Sequence, residues 1–430
     1  MSIDTYFAGH QGVRALRHRD FRLLLAGTAL VGLVAPAQFI TQTFWVQDAF
    51  PDRQVLYVAL FAGARGLATL LFSLIGGAIA DRFERRRVLL CCEVAAFGLN
   101  ALVALLMLTT PFGEATIAGI VILTFLAASN TAIDQPTRTA SVPAIVGMED
   151  LSNAISLNQI ANQMAIPLTI PLASILNGFV DPGVVYAGSL IAWVGILPLI
   201  GLLNYRSRGG ARQSGYVAAI WQGLRYARRD AVIFPVMTLF VVIQVIGMTG
   251  PANLGVVWQT EVMHVSRFGF ALMALCWGGG AVLGSIFFAR RHDLAGRGST
   301  LCISAVVFAV AAVIYGHSRI IPLTAVTNLV IGFSIAGMAI SASSLVQHTV
   351  PDDLRGRVMG LFPLTNGLAM VNTVPVGALA QAIGLSLVVP ALAWVTLLLV
   401  AAVILGMPTV RLVRPLGGAP GTLAPPVPVD

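Results

Sequence analysis

Arg65, Glu93, Asp134 and Arg138 lie in or beside long apolar stretches of a chain in which only 10% of residues are charged. A guanidinium in such surroundings can hold an anion or pair with an acid, and a carboxylate there can take up and release a proton. Asp134 and Arg138 are four residues apart, the spacing that places two side chains on one helical face and favours an ion pair. Counted from residue 55, Arg65 sits about 15 Å into an apolar helix, where facing lipid would cost roughly 2.5–3.5 kcal/mol or more. A second cluster, Gly77-Ala-Ile-Ala-Asp81-Arg82-Phe-Glu84-Arg85-Arg86-Arg87, forms a short charged turn between two apolar stretches. The four cysteines, Cys91, Cys92, Cys276 and Cys302, fall inside apolar segments with no metal-ligand spacing, and inert packing is expected of them.

The elements that position these residues follow from composition. The chain is 57% hydrophobic over 430 residues, and runs of about 20 apolar residues, enough to cross a bilayer as a helix, recur along it. An all-α membrane protein is expected, because helices satisfy their own backbone hydrogen bonds in lipid. Twelve spans are predicted, at 21–47, 55–80, 88–110, 115–135, 152–178, 182–204, 232–258, 268–289, 299–316, 320–347, 356–383 and 385–407. With both termini placed in the cytoplasm, the inner loops take 22 of the 26 arginines, Arg138 among them, and there is no lysine. That asymmetry orients the chain. No cleavable signal peptide is expected, since the arginine-rich opening lacks an apolar core and a small-residue cleavage site.

Four segments are expected: a six-helix half at 1–204, a cytoplasmic linker at 205–231, a second six-helix half at 232–407 and a disordered tail at 408–430. Within the linker, 217–228 has an amphipathic pattern suited to a membrane surface. The halves echo each other. Arg82 matches Arg290 and Val142-Pro143 matches Val350-Pro351, both at an offset of 208, while Arg19-Asp20 matches Arg229-Asp230 at 210. Two parallel six-helix repeats are the plan of major facilitator transporters.

The charged turn at Gly77–Arg87 resembles the signature loop between helices 2 and 3 of the major facilitator superfamily, with Glu84 where the usual glycine stands. The Arg-His-Arg-Asp-Phe opening, Ala80-Asp81-Arg82, and Asp134-x-Pro136-x-Arg138 followed by Asn153-Ala154 resemble the branch of enterobactin exporters and macrolide-type efflux proteins. The resemblance implies efflux of a siderophore or drug-like solute by alternating access, driven by protons. It implies gating by Gly77, Asp81, Arg82, Arg85 and Arg86 against the start of helix 11 near Arg355 and Arg357. Spans 1, 4, 7 and 10 would line the pathway, offering Gln38, Gln42, Trp45, Asn130, Gln244 and Asn253; the amide-rich fifth span adds Asn158 and Asn162. Each amide is as well suited to gluing helices together.

Arg65, Glu93, Asp134 and Arg138 are the candidates for coupling or intramembrane charge. Two departures from the antiporter pattern stand out: no arginine falls in the middle of the predicted fourth span, and the Gly-Pro signature of the fifth is reduced to Ile166-Pro167. An uptake permease for a siderophore or similar nutrient is the alternative, followed by a non-transporting membrane sensor. With no Walker phosphate loop and no nucleophile–base or metal cluster in the spans, enzyme activity, cofactors, metals and nucleic-acid partners are not expected. A monomer in the bacterial cytoplasmic membrane, both termini inside, completes the expectation.

Overall fold

The computed structural model describes residues 11–110, 113–205, 216–289 and 296–407, with the side chains of 11, 12, 74, 81, 162, 163 and 216–220 left aside. Among the described residues there is no strand. The chain forms two compact units, Met1–Gln213 and Ser214–Asp430. Residues 206–215 of the predicted linker, and the predicted tail, lie outside the described residues.

The first unit contains α1 (Arg19–Ala49), α2 (Gln54–Arg82), α3 (Arg85–Thr109), α4 (Ala115–Val146), α5 (Leu151–Phe179), α6 (Pro182–Ser189) and α7 (Ala192–Gly201). The sixth predicted span is thus two helices joined by a two-residue turn. Asp181 starts the first of them: its Oδ1 accepts from Gly183 N at 2.8 Å, and Pro182 occupies the first turn, where no N–H is needed. The second unit contains α8 (Tyr216–Arg229), α9 (Ile233–Val241), α10 (Arg267–Ala289), α11 (Arg297–His317), α12 (Ile321–Thr349), α13 (Asp352–Met359), α14 (Leu361–Ile383) and α15 (Leu385–Gly406). Among the described residues ten helical stretches are long and apolar enough to cross a membrane. The two other predicted spans coincide with α5 and α14, helices of 29 and 23 residues.

Three expectations about boundaries change. The predicted fourth span stops at 135, before Pro136, but α4 runs on to Val146. Helices in a bundle tolerate proline where neighbours satisfy the freed carbonyl, and the buried face continues through Asp134, Thr137, Arg138, Ser141 and Val142 at helical spacing. Arg138 therefore leaves the inner-loop tally, and the fourth helix does hold an arginine away from its end. The predicted seventh span is not one regular helix: after α9 the chain makes wide turns, with Met248 N bonded to Ile243 O at 2.8 Å and Leu254 N to Thr249 O at 3.0 Å, around Pro251. The start of the predicted eleventh span, 356–359, belongs to α13, and α14 begins after Gly360.

Glycine lets helices approach closely in both units. A Cβ on Gly76 of α2 would collide with Ala132 O of α4. On α10, a Cβ at Gly280 would collide with Leu329 O, and one at Gly284 would lie 2.6 Å from Phe333 O, both on α12. Backbone contact of this kind is how membrane helices pack when apolar burial alone gives no advantage over lipid.

Candidate functional site

Three charged residues of the first unit, Glu93, Asp134 and Arg138, meet at a junction of α1, α3, α4 and α7. Arg138 on α4 donates from Nε to Asp134 Oδ2 at 2.5 Å and from Nη2 to Glu93 Oε1 on α3. Glu93 Oε2 accepts from the indole N–H of Trp193 on α7 at 3.0 Å. Thr28 Oγ1 on α1 lies 3.5 Å from Arg138 Nη1, and Gly27 leaves room for that nitrogen: a Cβ there would touch it at 3.4 Å. Arg138 is 1% exposed, and Glu93 and Asp134 are 3% exposed each. Asp134 Oδ1 is buried without a hydrogen-bond donor. Two carboxylates thus share one guanidinium out of reach of water, and when both are ionised the cluster carries one surplus negative charge.

Arg65 sits elsewhere in the same unit. It donates from Nη2 to Gln42 Oε1 on α1, and its guanidinium carbon lies 5.0 Å from the centre of the Phe39 ring. Gln42 in turn donates to Thr124 Oγ1 on α4 at 3.3 Å. Among the described residues no carboxylate reaches Arg65, and its Nη1 is buried without an acceptor.

The amide candidates mostly engage protein partners. Gln38 Nε2 donates to Ser189 Oγ at 3.1 Å, Trp45 Nε1 to Met107 O at 2.9 Å and Asn130 Nδ2 to Cys92 O at 2.8 Å. In the second unit Gln244 Nε2 donates to Asn366 Oδ1 at 2.8 Å and Asn253 Nδ2 to Thr373 Oγ1 at 2.8 Å. Asn158 is half-buried, and the side chain of Asn162 lies outside the described residues.

The signature loop works as a set of staples inside the first unit. Arg85 Nη1 donates to Ala140 O at 2.7 Å, and Arg86 Nη2 donates to Gly201 O, at the end of α7, at 2.6 Å. At Gly201, the last residue of α7, the cation offsets both an unmet acceptor and the helix dipole. Gly77 is buried, Arg82 is exposed, and the side chain of Asp81 lies outside the described residues. In the second unit Arg355 pairs with Asp352 at 2.6 Å and Arg357 donates to Gln222 Oε1 on α8.

Sequence reasoning passed over a further cluster at the α4–α5 junction. Asp150, almost fully buried, forms ion pairs with Arg14 Nε at 3.1 Å and Arg17 Nε at 2.8 Å and a hydrogen bond with His18 Nε2 at 2.9 Å. Burial pushes its carboxyl pKa up, but the His18 hydrogen bond and the Arg17 and Arg14 charges outweigh it and leave the value below the ordinary one. Trp193, 100 residues from Glu93 in sequence, was likewise invisible as a partner. A signal for the α4 cluster did exist: the run of polar and small residues at three- and four-residue spacing past Pro136.

A multi-pass bundle of apolar helices with a few buried charges is the build of a membrane transporter rather than an enzyme, and the known proteins agree. The family described as transmembrane secretion effector matches residues 11–414. The chain belongs to that family, within the major facilitator superfamily. The multidrug efflux pump Tap of Mycolicibacterium fortuitum is 24% identical over 370 residues, covering 83% of this chain and 88% of Tap. The enterobactin exporter EntS of Salmonella typhimurium (strain LT2) is 23% identical over 383 residues, covering 83% of this chain and 82% of EntS. Among solved structures, a POT family transporter matches with a TM-score of 0.70 at 13% identity, over 91% of this chain and 96% of its own. The nucleoside transporter NupG matches at 0.68 and 14% identity, over 90% of this chain and 98% of its own. At these identities the structural likeness speaks to the fold alone.

Proposed function

We propose that this transporter exports a hydrophobic or amphipathic solute, siderophore-like or drug-like, by alternating access, in exchange for protons bound at the Glu93–Asp134 pair. The observation that carries the coupling is the surplus carboxylate: two acids on one buried arginine, with Asp134 Oδ1 lacking a donor. An uncompensated charge in such surroundings is costly. A proton on Asp134 removes the surplus and turns the bare oxygen into a donor. A cluster whose balance differs between its two protonation states biases whichever conformation suits each state, and that differential is what coupling requires. The outward direction rests on the likeness to Tap, an efflux pump, and EntS, an exporter. The arginine asymmetry supports placing both termini in the cytoplasm, and the fold is read as working as a monomer with no cofactor. Asp81 at the cytoplasmic loop is kept as the gate, with Arg355 and Arg357 opposite it in the working cycle.

The test uses cells with and without the gene, loaded with N-phenyl-1-naphthylamine, 8-anilinonaphthalene-1-sulfonate or ethidium. Expected is faster extrusion with the gene, abolished by an uncoupler and by Asp134→Asn. Gene-dependent uptake instead of extrusion, or extrusion that ignores the uncoupler, would overturn the reading.

A further inference from the structure

We infer that Arg65 is the point at which the transported solute is recognised, and that the solute presents it with an anionic oxygen attached to an aromatic or similarly flat apolar body. The inference rests on the transporter reading above and adds the chemical class of cargo. Arg65 is the twelfth residue of the 29-residue α2, roughly 16 Å along the helix at 1.5 Å per residue. A permanent cation at that depth requires compensation. The chain compensates Arg138, fully buried on α4, with two carboxylates. It gives Arg65 none among the described residues: one amide carbonyl, from Gln42, and one aromatic face, from Phe39, are what the guanidinium meets. A neutral carbonyl and a ring quadrupole hold a cation in place without cancelling its charge.

Two further observations separate a binding role from a packing role. Nη1 is buried with no acceptor, so half of the planar fork that suits a two-oxygen anion is unused. The residue as a whole is half-buried. The residue 208 positions later, at the matching place in the second repeat, is Met273, which is buried. The helix pair therefore packs without a cation at this position. The Phe39 ring and the Gln42 amide beside Arg65 supply an apolar face and a polar edge, which fits a carboxylate, sulfonate or phosphate-type oxyanion carried on a ring.

Matched probes provide the test. 8-Anilinonaphthalene-1-sulfonate and N-phenyl-1-naphthylamine share one aromatic scaffold and differ in the sulfonate. Binding of each is measured to the full chain in nanodiscs of zwitterionic lipid, with empty discs subtracted and no pH gradient applied. Zwitterionic lipid removes anionic headgroups as competitors; adding phosphatidylglycerol then shows whether a lipid phosphate takes the same site. The expected result is that the ratio of sulfonate to amine affinity falls about tenfold or more in Arg65→Gln, the scale of one lost charge-assisted contact, while binding of the neutral amine changes less than twofold. Arg65→Lys should fall between. Gln42→Glu places an internal carboxylate against the guanidinium and should abolish the sulfonate preference without removing the cation; it decides the matter should Arg65→Gln fail to fold. An unchanged ratio in Arg65→Gln or in Gln42→Glu, or selective loss of the anionic probe only on adding phosphatidylglycerol, would overturn the inference. Arg65-dependent preference in a protein that extrudes nothing under a proton gradient would sink proton-driven export and leave this inference standing. Proton-driven extrusion of both probes alike, whatever stands at 65, would do the reverse.

Discussion

The two six-helix repeats use the same helices with opposite interiors. At the offset of 208 that relates Val142 to Val350, Gly76 of the close α2–α4 contact corresponds to Gly284 of the α10–α12 contact. At the same offset Glu93 becomes Leu301, Asp134 becomes Ala342, Arg138 becomes Val346, Arg65 becomes Met273 and Asp150 becomes Val358. All five counterparts are buried. The second repeat therefore builds the fold with a buried apolar residue at each of these five places. Since buried ion pairs are weak contributors to stability, the charges of the first repeat are better understood as equipment than as cement.

The largest effect should come from breaking the cluster halfway. Arg138→Met leaves Glu93 and Asp134 buried without their shared cation and should cost about 3–5 kcal/mol, read as a lower unfolding temperature in detergent. Val346→Leu, at the matching place in the second repeat, keeps an apolar residue apolar and only adds a methylene, which should cost about 1–3 kcal/mol. Equal losses from the two would remove the contrast.

Copying the apolar set across is the sharper experiment. A triple variant, Glu93→Leu with Asp134→Ala and Arg138→Val, should fold and should range from neutral to about 1–4 kcal/mol more stable, as when buried ionic groups give way to well-packed apolar ones. Its proton-driven extrusion should be lost. A stable triple variant that still pumps would show the cluster to be cement after all. Next in size, Gly76→Ala and Gly284→Ala each force a Cβ against backbone and should cost about 1–3 kcal/mol apiece. Here the halves should behave alike, which makes the pair a control for the assumed equivalence.

Much of the bundle was legible because hydropathy and helix length are dictated by the bilayer: α1, α2, α3 and α15 start and stop within three residues of the spans read from sequence. The failures were local and physical. Pro136 reads as a stop to a rule learned in water, yet α4 passes through it, and Arg138 moved from a loop into the core as a result. The wide turns around Pro251 leave no hydropathy mark, because they change hydrogen-bond register and not polarity. Glu93, Asp134 and Arg65 were visible as charges out of place. The spacing also paired Asp134 with Arg138, but Glu93 with Trp193, and Arg65 with Gln42, are contacts between different helices, which one sequence does not encode in any local pattern.

The smallest predicted effect lies at the entrance to each half. The first repeat ties its leading segment down with ions, Arg14, Arg17 and His18 on Asp150. The second ties α8 down with an apolar cluster that includes Ala227, Ile233, Val350, Val358 and Leu361. Arg14 and Arg17 are partly exposed, so Asp150→Asn should cost only about 1 kcal/mol. The pH dependence has a definite sign. The folded Asp150 carboxyl has a pKa below its ordinary value, so the unfolded chain binds the proton more readily. The carboxylate's stabilisation is therefore complete above the unfolded value of about 3.9 and is lost as pH falls through the lower folded value. The comparison is made in a His18→Gln background, which removes the imidazole. There, the drop in unfolding temperature caused by Asp150→Asn should be steady well above about pH 4 and shrink progressively as pH falls below it. The apolar clasp of the second repeat has Val358 at the place of Asp150, and Val358→Ala should lower stability by an amount that does not change over the same acid range. A drop from Asp150→Asn that grows on acidification would mean that the Arg14 and Arg17 pairs with Asp150 are not what holds the first repeat's entrance.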